Sequence, residues 1–184
     1  MYSDELIAFF TKVTSDPILQ QQLYLTHEIS DVAKIARNLG FGVTASEILK
    51  AQAGRSLTIR KEDPNDLEEL VAGRRPKTGA QWGRAGKGYL DRPGFWLFDL
   101  HLSESLSPFQ PEISAFLSRA KKNEELKTRL FAAKSFTEVA CIARENGYAL
   151  LTSVTFLEYL AERILELNDE EAERVAFGAG LQVP

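Results

Sequence analysis

Apolar residues recur at helical spacing in two widely separated stretches of the chain. Each stretch follows the i, i+3, i+4, i+7 pattern, which places apolar groups on one face of a helix. The positions are Leu6, Phe9, Phe10 and Val13 in the first stretch and Ile113, Phe116, Leu117 and Ala120 in the second. Shifting residues 5–41 by 107 positions aligns them with residues 112–148 without a gap, and eleven of the thirty-seven pairs are identical. The pattern therefore predicts one helical unit that occurs twice.

Capping residues at matching positions mark the predicted helix boundaries. Asp16, followed by Pro17, begins a helix in the first copy, and Asn123 takes the same place in the second. Further start and stop signals are the capping box Thr44-Ala45-Ser46-Glu47, its counterpart at Thr152, and the helix-ending glycines Gly40 and Gly147. The sequence thus predicts an all-α protein of two small helical-bundle repeats, each with four to five short helices.

A fifth helix is predicted at the end of each copy, over residues 66–73 and 169–176. Both segments begin with acidic residues, which suit the positive end of a helix dipole. The first repeat is then expected to cover residues 1–73, a basic linker rich in glycine and aromatic residues to cover 74–108, and the second repeat to cover 109–184.

The linker ends in a run of alternating apolar residues between Phe95 and Leu102. Trp96, Phe98, Leu100 and Leu102 would share one side of an extended chain. This alternation predicts a short strand, which residues 57–59 could pair with. The alternative is an apolar tether that holds the two copies together.

Charge and composition are those of an ordinary soluble protein. The net charge is −4, a single cysteine excludes an internal disulfide framework, and no apolar run has the length of a membrane span. Asp4 and Glu5 stand where a signal peptide would need basic residues. We therefore expect a cytoplasmic protein without a membrane span.

Residues 73–96 carry a net charge of +5 inside this acidic chain. The candidate partner-binding residues are the cations Arg74, Arg75, Lys77, Arg84, Lys87 and Arg92 and the aromatic residues Trp82, Tyr89 and Trp96. Cations beside aromatic side chains are typical of surfaces that bind single-stranded nucleic acid. The alternative is a linker whose cations contact acidic faces of the helical units. Either way, we expect Trp82 or Trp96 to pack on a repeat or on a partner.

No residue pattern in the chain indicates catalysis or a bound metal. Its two histidines, His27 and His101, lie far from any second ligand at metal-binding spacing. Cys141 replaces Lys34 of the first copy and is expected near a helix surface. The glycine-rich run before Gly88 lacks the Ser or Thr that follows the lysine of a phosphate-binding loop. Catalytic residues, metal ligands and cofactors are therefore predicted to be absent.

Two charged residues recur unchanged in both copies. Glu5 matches Glu112, and Arg37 matches Arg144. We expect a structural salt bridge between the first and third helices of each unit, with ligand binding as the alternative.

The helical pattern around Val32 to Phe41, followed by the run Glu-Glu-Leu-Val-Ala-Gly that ends at Gly73, resembles the Nif-eleven family. The resemblance covers about residues 3–73 and 110–178. It implies helical units like the leader segments of ribosomally made, modified peptides, which tailoring enzymes recognise before cleavage. The recognition helix would then comprise Leu67, Leu70, Val71, Ala72 and Gly73. Arg74 stands where a second glycine usually marks the cleavage site.

The resemblance favours binding over catalysis. The segment after Gly73 has no cysteine and only Thr78 as a hydroxyl residue before Ser103, so modifying enzymes would find little to act on. We therefore expect an adaptor or accessory protein that binds another protein, in a nitrogen-fixation or peptide-modification context. One alternative is a leader-like precursor that a tailoring enzyme recognises. The other is nucleic-acid binding through the basic linker.

Overall fold

The computed structural model describes residues 2–62, 64–74, 88–101 and 110–177. These ranges contain eleven α-helices and one 3-10 turn, Gly88–Leu90, and they contain no strand. The helices are α1 Asp4–Ser15, α2 Pro17–Leu25, α3 Ile29–Asn38, α4 Ala45–Glu62, α5 Pro64–Val71, α6 Pro93–His101, α7 Pro111–Lys121, α8 Glu124–Ala132, α9 Phe136–Glu145, α10 Ser153–Glu166 and α11 Asp169–Ala176. The predicted all-α fold of two repeats is confirmed, with α1–α5 in the first copy and α7–α11 in the second.

The predicted capping residues begin their helices in both copies. Asp16 accepts a hydrogen bond from the Leu19 N–H at 3.0 Å, and Asn123 accepts one from the Leu126 N–H, also at 3.0 Å. Thr44 and Glu47 form the reciprocal box, in which each side chain accepts the other's backbone N–H. These side chains satisfy donors that the first helical turn leaves free.

Glycine ends the third helix of each copy in the left-handed backbone region. Gly40 has φ +93° and Gly147 has φ +92°. In both cases the next residue's N–H donates back to the third helix, from Phe41 to the Ala36 carbonyl and from Tyr148 to the Ala143 carbonyl. This is the Schellman arrangement, which requires a residue without a Cβ penalty at positive φ.

The two copies share one hydrophobic core. Helix α4 packs most extensively against α10, its counterpart in the second copy. Helix α11 of the second copy packs on α4 of the first, whereas α5 packs mainly on α4 of its own copy and makes a smaller contact with α10. The α4–α10 contact joins equivalent elements of the two copies, as a two-fold dimer interface does. The duplicated chain therefore folds as a covalently linked pseudo-dimer.

The linker contributes a helix where a strand was predicted. Residues 93–101 form α6, and residues 57–59, the expected pairing partner, lie inside α4. Trp96, Leu97, Phe98 and Leu100 are all buried. Among the described side chains of α6 only Phe95 and Asp99 are partly exposed, so the helix has no wide polar face, and its apolar residues alternate by accident. The strand prediction was wrong for this reason.

The linker helix belongs to the core of the second copy. It contacts α7, α8, α9 and α10. The buried guanidinium of Arg163, on α10, donates to the Leu100 carbonyl at 3.3 Å. Gly94 approaches the backbone of α8 so closely that an added Cβ would overlap the Leu130 carbonyl oxygen.

Tyr89 joins the linker to both copies. Its hydroxyl lies 2.9 Å from the Ser56 hydroxyl on α4, and its ring lies 6.4 Å from the Phe136 ring on α9. Trp96 packs edge-on against Tyr89 with ring centroids 5.9 Å apart. The expectation that a linker tryptophan packs on a repeat is thus confirmed for Trp96.

No helix within the described ranges combines the length and the apolar character needed to cross a membrane.

Candidate protein-binding groove

The described residues of the basic linker do not form an exposed stacking surface. Tyr89 and Trp96 are core residues, so reading them as exposed partner-binding groups was wrong. Five other candidates lie outside the described residues: Arg75, Lys77, Trp82, Arg84 and Lys87.

The two cations of this set that the structure describes contact carboxylates. Arg74 binds Glu69 through two nitrogens, each 2.9 Å from a carboxylate oxygen, and this pairing raises the pKa of Arg74. Arg92 lies 3.6 Å from Glu28 and also stacks over the Phe95 ring at 5.6 Å. Such contacts are those expected of a linker whose cations meet acidic faces.

The leader-like recognition helix turns its apolar face into the protein. Leu67, Leu70 and Val71 are buried, while Ala72 and Gly73 are half-buried. The Thr137 hydroxyl donates to the Val71 carbonyl at 3.2 Å, so the end of α5 docks against the start of α9. A partner could reach these apolar side chains only if α5 left its contacts with α4 and α10.

The predicted salt bridges between the first and third helices do not form. Within the described part of the chain, no ion pair joins Glu5 to Arg37 or Glu112 to Arg144. Glu5 instead accepts a hydrogen bond from the Gly42 N–H at 3.1 Å. All four charged side chains are exposed, and an exposed ion pair gains little over hydration. The hydrogen bond from Gly42 to Glu5 ties the start of α1 to the α3–α4 loop instead of to Arg37.

His27 and Cys141 belong to no potential metal-binding cluster, and the His101 side chain lies outside the described residues. Among the described residues, no group of three or more His, Cys, Asp or Glu side chains could hold a metal ion. His27 lies 3.4 Å from Asp91 and is largely exposed. Cys141 is exposed on α9, where its position in the repeat predicted it.

A groove of about 880 Å³ lies between the two copies. We call it the inter-copy groove. Its first wall is the α3–α4 loop and the start of α4, and its second wall is α11. The lining residues are Gly42, Thr44, Ser46, Glu47, Asp169, Glu170, Glu173, Arg174 and Phe177. Neither copy could form this groove alone.

Two polar contacts between the copies position the walls of the groove. Glu173 accepts the Ser46 N–H at 2.7 Å, and Lys50 pairs with Asp169 at 2.8 Å. Glu173 thereby places a negative charge at the positive end of α4. Sequence reasoning missed both contacts, because their partners lie more than a hundred residues apart and no local pattern links them.

Hydrogen bonds keep two groove carboxylates ionised. Lys50 lowers the pKa of Asp169 through a hydrogen bond and through its charge. Partial burial raises the pKa of Glu47, but hydrogen bonds from Ser3 and Thr44 outweigh it and leave the pKa below its ordinary value. Both pKa shifts favour the charged form of these two carboxylates.

Replacing Asp169 with asparagine should lower the melting temperature at pH 7 but not in strong acid. Because folding lowers the pKa of Asp169, its stabilisation is complete above the unfolded-state value and is lost as the pH falls through the folded-state value. We expect the difference from wild type to shrink below about pH 4 and then to vanish. Thermal unfolding across this range measures it. Glu170→Gln removes a neighbouring charge without touching Lys50 and is the control. A deficit of the same size at every pH would contradict the pairing.

The groove offers one large apolar side chain among its acids. Phe177 follows α11 directly and keeps 52% of its surface exposed. The charged groups that line the groove are four carboxylates and one guanidinium. Exposed aromatic side chains in a concave surface are common anchors of protein–protein contacts.

A second groove, of about 680 Å³, lies where equivalent loops of the two copies face each other. His27 and Lys134, which occupy the same position in the repeat, both line it. Its formal charges are balanced, since the carboxylates Glu28 and Asp91 are matched by Arg92 and Lys134. This surface has no net formal charge, and its aromatic side chain, Phe131, is half-buried against Phe95 and Phe98, so it is the weaker candidate.

Comparison with known proteins yields one family match, found twice. The Nif11 domain matches residues 1–48 and residues 110–150. No curated protein and no solved structure matches the chain. The matched segments span α1–α3 and α7–α9, so α6 and α11 both lie outside them. The second wall of the inter-copy groove is therefore a feature that the family match does not cover.

Proposed function

From the two copies of a Nif11-like domain that this chain contains, we infer a folded, non-catalytic module that binds another protein. The observation that carries this proposal is the inter-copy groove, which both copies build and which exposes an aromatic anchor among carboxylates. A binding surface of this kind requires the fused pair, and it gives a reason for two copies to remain in one chain. The family resemblance implies two contexts for the partner, peptide modification and nitrogen fixation.

The burial of α5 argues for this module over a leader-like precursor. A tailoring enzyme that read Leu67, Leu70 and Val71 would have to pull α5 out of the shared core. Gly73 ends α5 in a Schellman turn, where the Arg74 N–H donates to the Glu69 carbonyl at 2.8 Å. A protease needs an extended chain at its cleavage site, and this turn would have to unfold first.

Charge reversal in the groove should abolish capture of the partner. Glu170 is exposed and lines the groove, so Glu170→Lys changes its charge with little effect on packing. Glu162→Lys makes the same change on the exposed side of α10 and is the matched control. We expect affinity capture from native lysate to recover the same partner proteins with the wild-type chain and with the control. The Glu170→Lys variant should fail to recover them. Identical recovery with all three chains would contradict a function for this groove.

The intact mass of the protein from native cells separates the proposed module from the precursor. A binding module keeps its full length and its unmodified mass. A chain that ends at Gly73, or one that carries added mass after Gly73, would establish the precursor function and overturn our proposal.

A further inference from the structure

We propose that the inter-copy groove binds a cationic segment of the partner that inserts one apolar side chain beside Phe177. This inference rests on the proposed function and names the chemistry of the partner at that same groove. The occupant is a basic polypeptide segment.

Charge complementarity supports a basic occupant. The groove is lined by the carboxylates Glu47, Asp169, Glu170 and Glu173, with Arg174 as the cation among the lining residues. Lys50 neutralises the charge of Asp169. Glu173, by contrast, accepts a hydrogen bond from the uncharged Ser46 N–H and keeps its negative charge unbalanced there. A surplus of negative charge therefore faces the groove. Lysine and arginine side chains would meet it favourably, whereas phosphate groups would be repelled.

The apolar contact supports an anchor side chain. Phe177 stands half-exposed at one end of the groove. Across from α11, a Cβ added to Gly42 would meet nothing within 4 Å, so the loop leaves open space on that side. A groove of about 880 Å³ has room for a large apolar side chain and its neighbours. A buried anchor within a charged rim is the usual anatomy of a protein–peptide interface.

Contacts between the two walls also keep the inter-copy groove open. Lys50 and the Ser46 N–H hold two of the α11 carboxylates against α4, which fixes the distance between the walls. The groove is thus preformed, and its occupant does not have to order it.

A designed peptide tests the partner chemistry on the full-length chain. The probe is a short helix-forming peptide that carries lysines on one face around a single leucine. Two matched probes replace the lysines with glutamates, or the leucine with alanine. We expect the lysine–leucine peptide to shift the amide signals of Gly42, Ser46, Glu173 and Phe177, and both matched probes to bind at least about tenfold more weakly. Raising the ionic strength should weaken binding, because it shortens the range of charge attraction to about 8 Å at 0.15 M. Equal binding of the glutamate peptide would overturn the proposal.

Two substitutions with matched controls locate the binding. Glu170→Lys should weaken binding of the lysine–leucine peptide about tenfold, while Glu162→Lys leaves it unchanged. Phe177→Ala should have an effect of similar size, while Ile18→Ala, at an exposed position on α2, should have none. A melting temperature for each variant shows that it folds. If Phe177→Ala lowers it, Glu170→Lys still decides the outcome.

The two levels of the proposal can fail separately. Suppose the lysine–leucine peptide does not bind, yet partner capture from lysate still depends on Glu170. The basic partner is then wrong and the binding function stands. If neither depends on Glu170, both the function and the partner chemistry at this groove are overturned.

Discussion

Gly94→Ala should destabilise the chain by about 3 kcal/mol, the largest effect that we expect of adding one methyl group. The new Cβ would overlap the Leu130 carbonyl oxygen and would lie 2.7 Å from the Leu130 carbonyl carbon. These are backbone atoms of α8, so no side-chain rotation can relieve the overlap. Helix α6 would have to withdraw from α8, and the close-packed core around Trp96 and Leu97 would lose its contacts.

Denaturant unfolding measures this loss, and Gly42→Ala is its control. An added Cβ at Gly42 meets no atom within 4 Å, and the N–H that Glu5 accepts is retained. We expect the control to stay within about 0.5 kcal/mol of wild type. Equal stability of the Gly94 variant and the control would show that α6 does not pack against α8 in this way.

Leu49→Ala should cost about 2–5 kcal/mol of unfolding free energy. Leu49 has no exposed surface and lies on α4, the helix against which both α10 and α11 pack. The cavity would form inside the shared core, so it should weaken both copies. Leu165→Ala removes the same atoms from α10 at a position that is 43% exposed. This control should lose much less, and a loss as large as that of Leu49→Ala would contradict the placement of α4 at the centre.

Local signals in the sequence were enough to predict the helices of both copies. Asp16 and Asn123 cap helices through side chains that act within three residues, and Gly40 and Gly147 end them through a backbone conformation. These capping residues and glycines act within a few residues of the chain, and the second copy repeats each of them. The all-α fold with two repeats followed directly.

Features that depend on tertiary packing could not be predicted in this way. Helix α6 is exposed only along a narrow edge at Phe95 and Asp99, which is too narrow to reveal a helical period. Its alternating apolar residues matched a strand equally well. The salt-bridge prediction was also wrong. It relied on the recurrence of Glu5 as Glu112 and of Arg37 as Arg144, but residues repeated in both copies need not contact each other.

The inter-copy groove could not be predicted from the sequence for a further reason. Its walls come from residues 42–47 and 169–177, which are brought together only because α11 crosses to the first copy. The Ser46–Glu173 contact arises from this crossover. A reading of each copy as a separate domain would assign α11 to its own unit, and the groove would not exist.

The pseudo-dimer also explains why the repeat is unequal in its details. The groove uses the α3–α4 loop of the first copy and the fifth helix of the second. Gly42 corresponds to Ala149 in the repeat, and Phe177 follows α11 where Ala72 follows α5. Duplication supplies the shared scaffold, and divergence of equivalent positions supplies a binding surface on one side of it.

Residue-resolved hydrogen exchange on wild type and Leu49→Ala tests the shared core most directly. The substitution lies in the first copy, and the decisive amides lie in α7, α8 and α9 of the second. If the two copies form one core, the slowest amides of both copies lose the same protection free energy, because they exchange through one cooperative unfolding. If protection falls in α1–α3 while α7–α9 keep the wild-type values, the copies are independent domains, and the account of a pseudo-dimer with a composite groove is wrong.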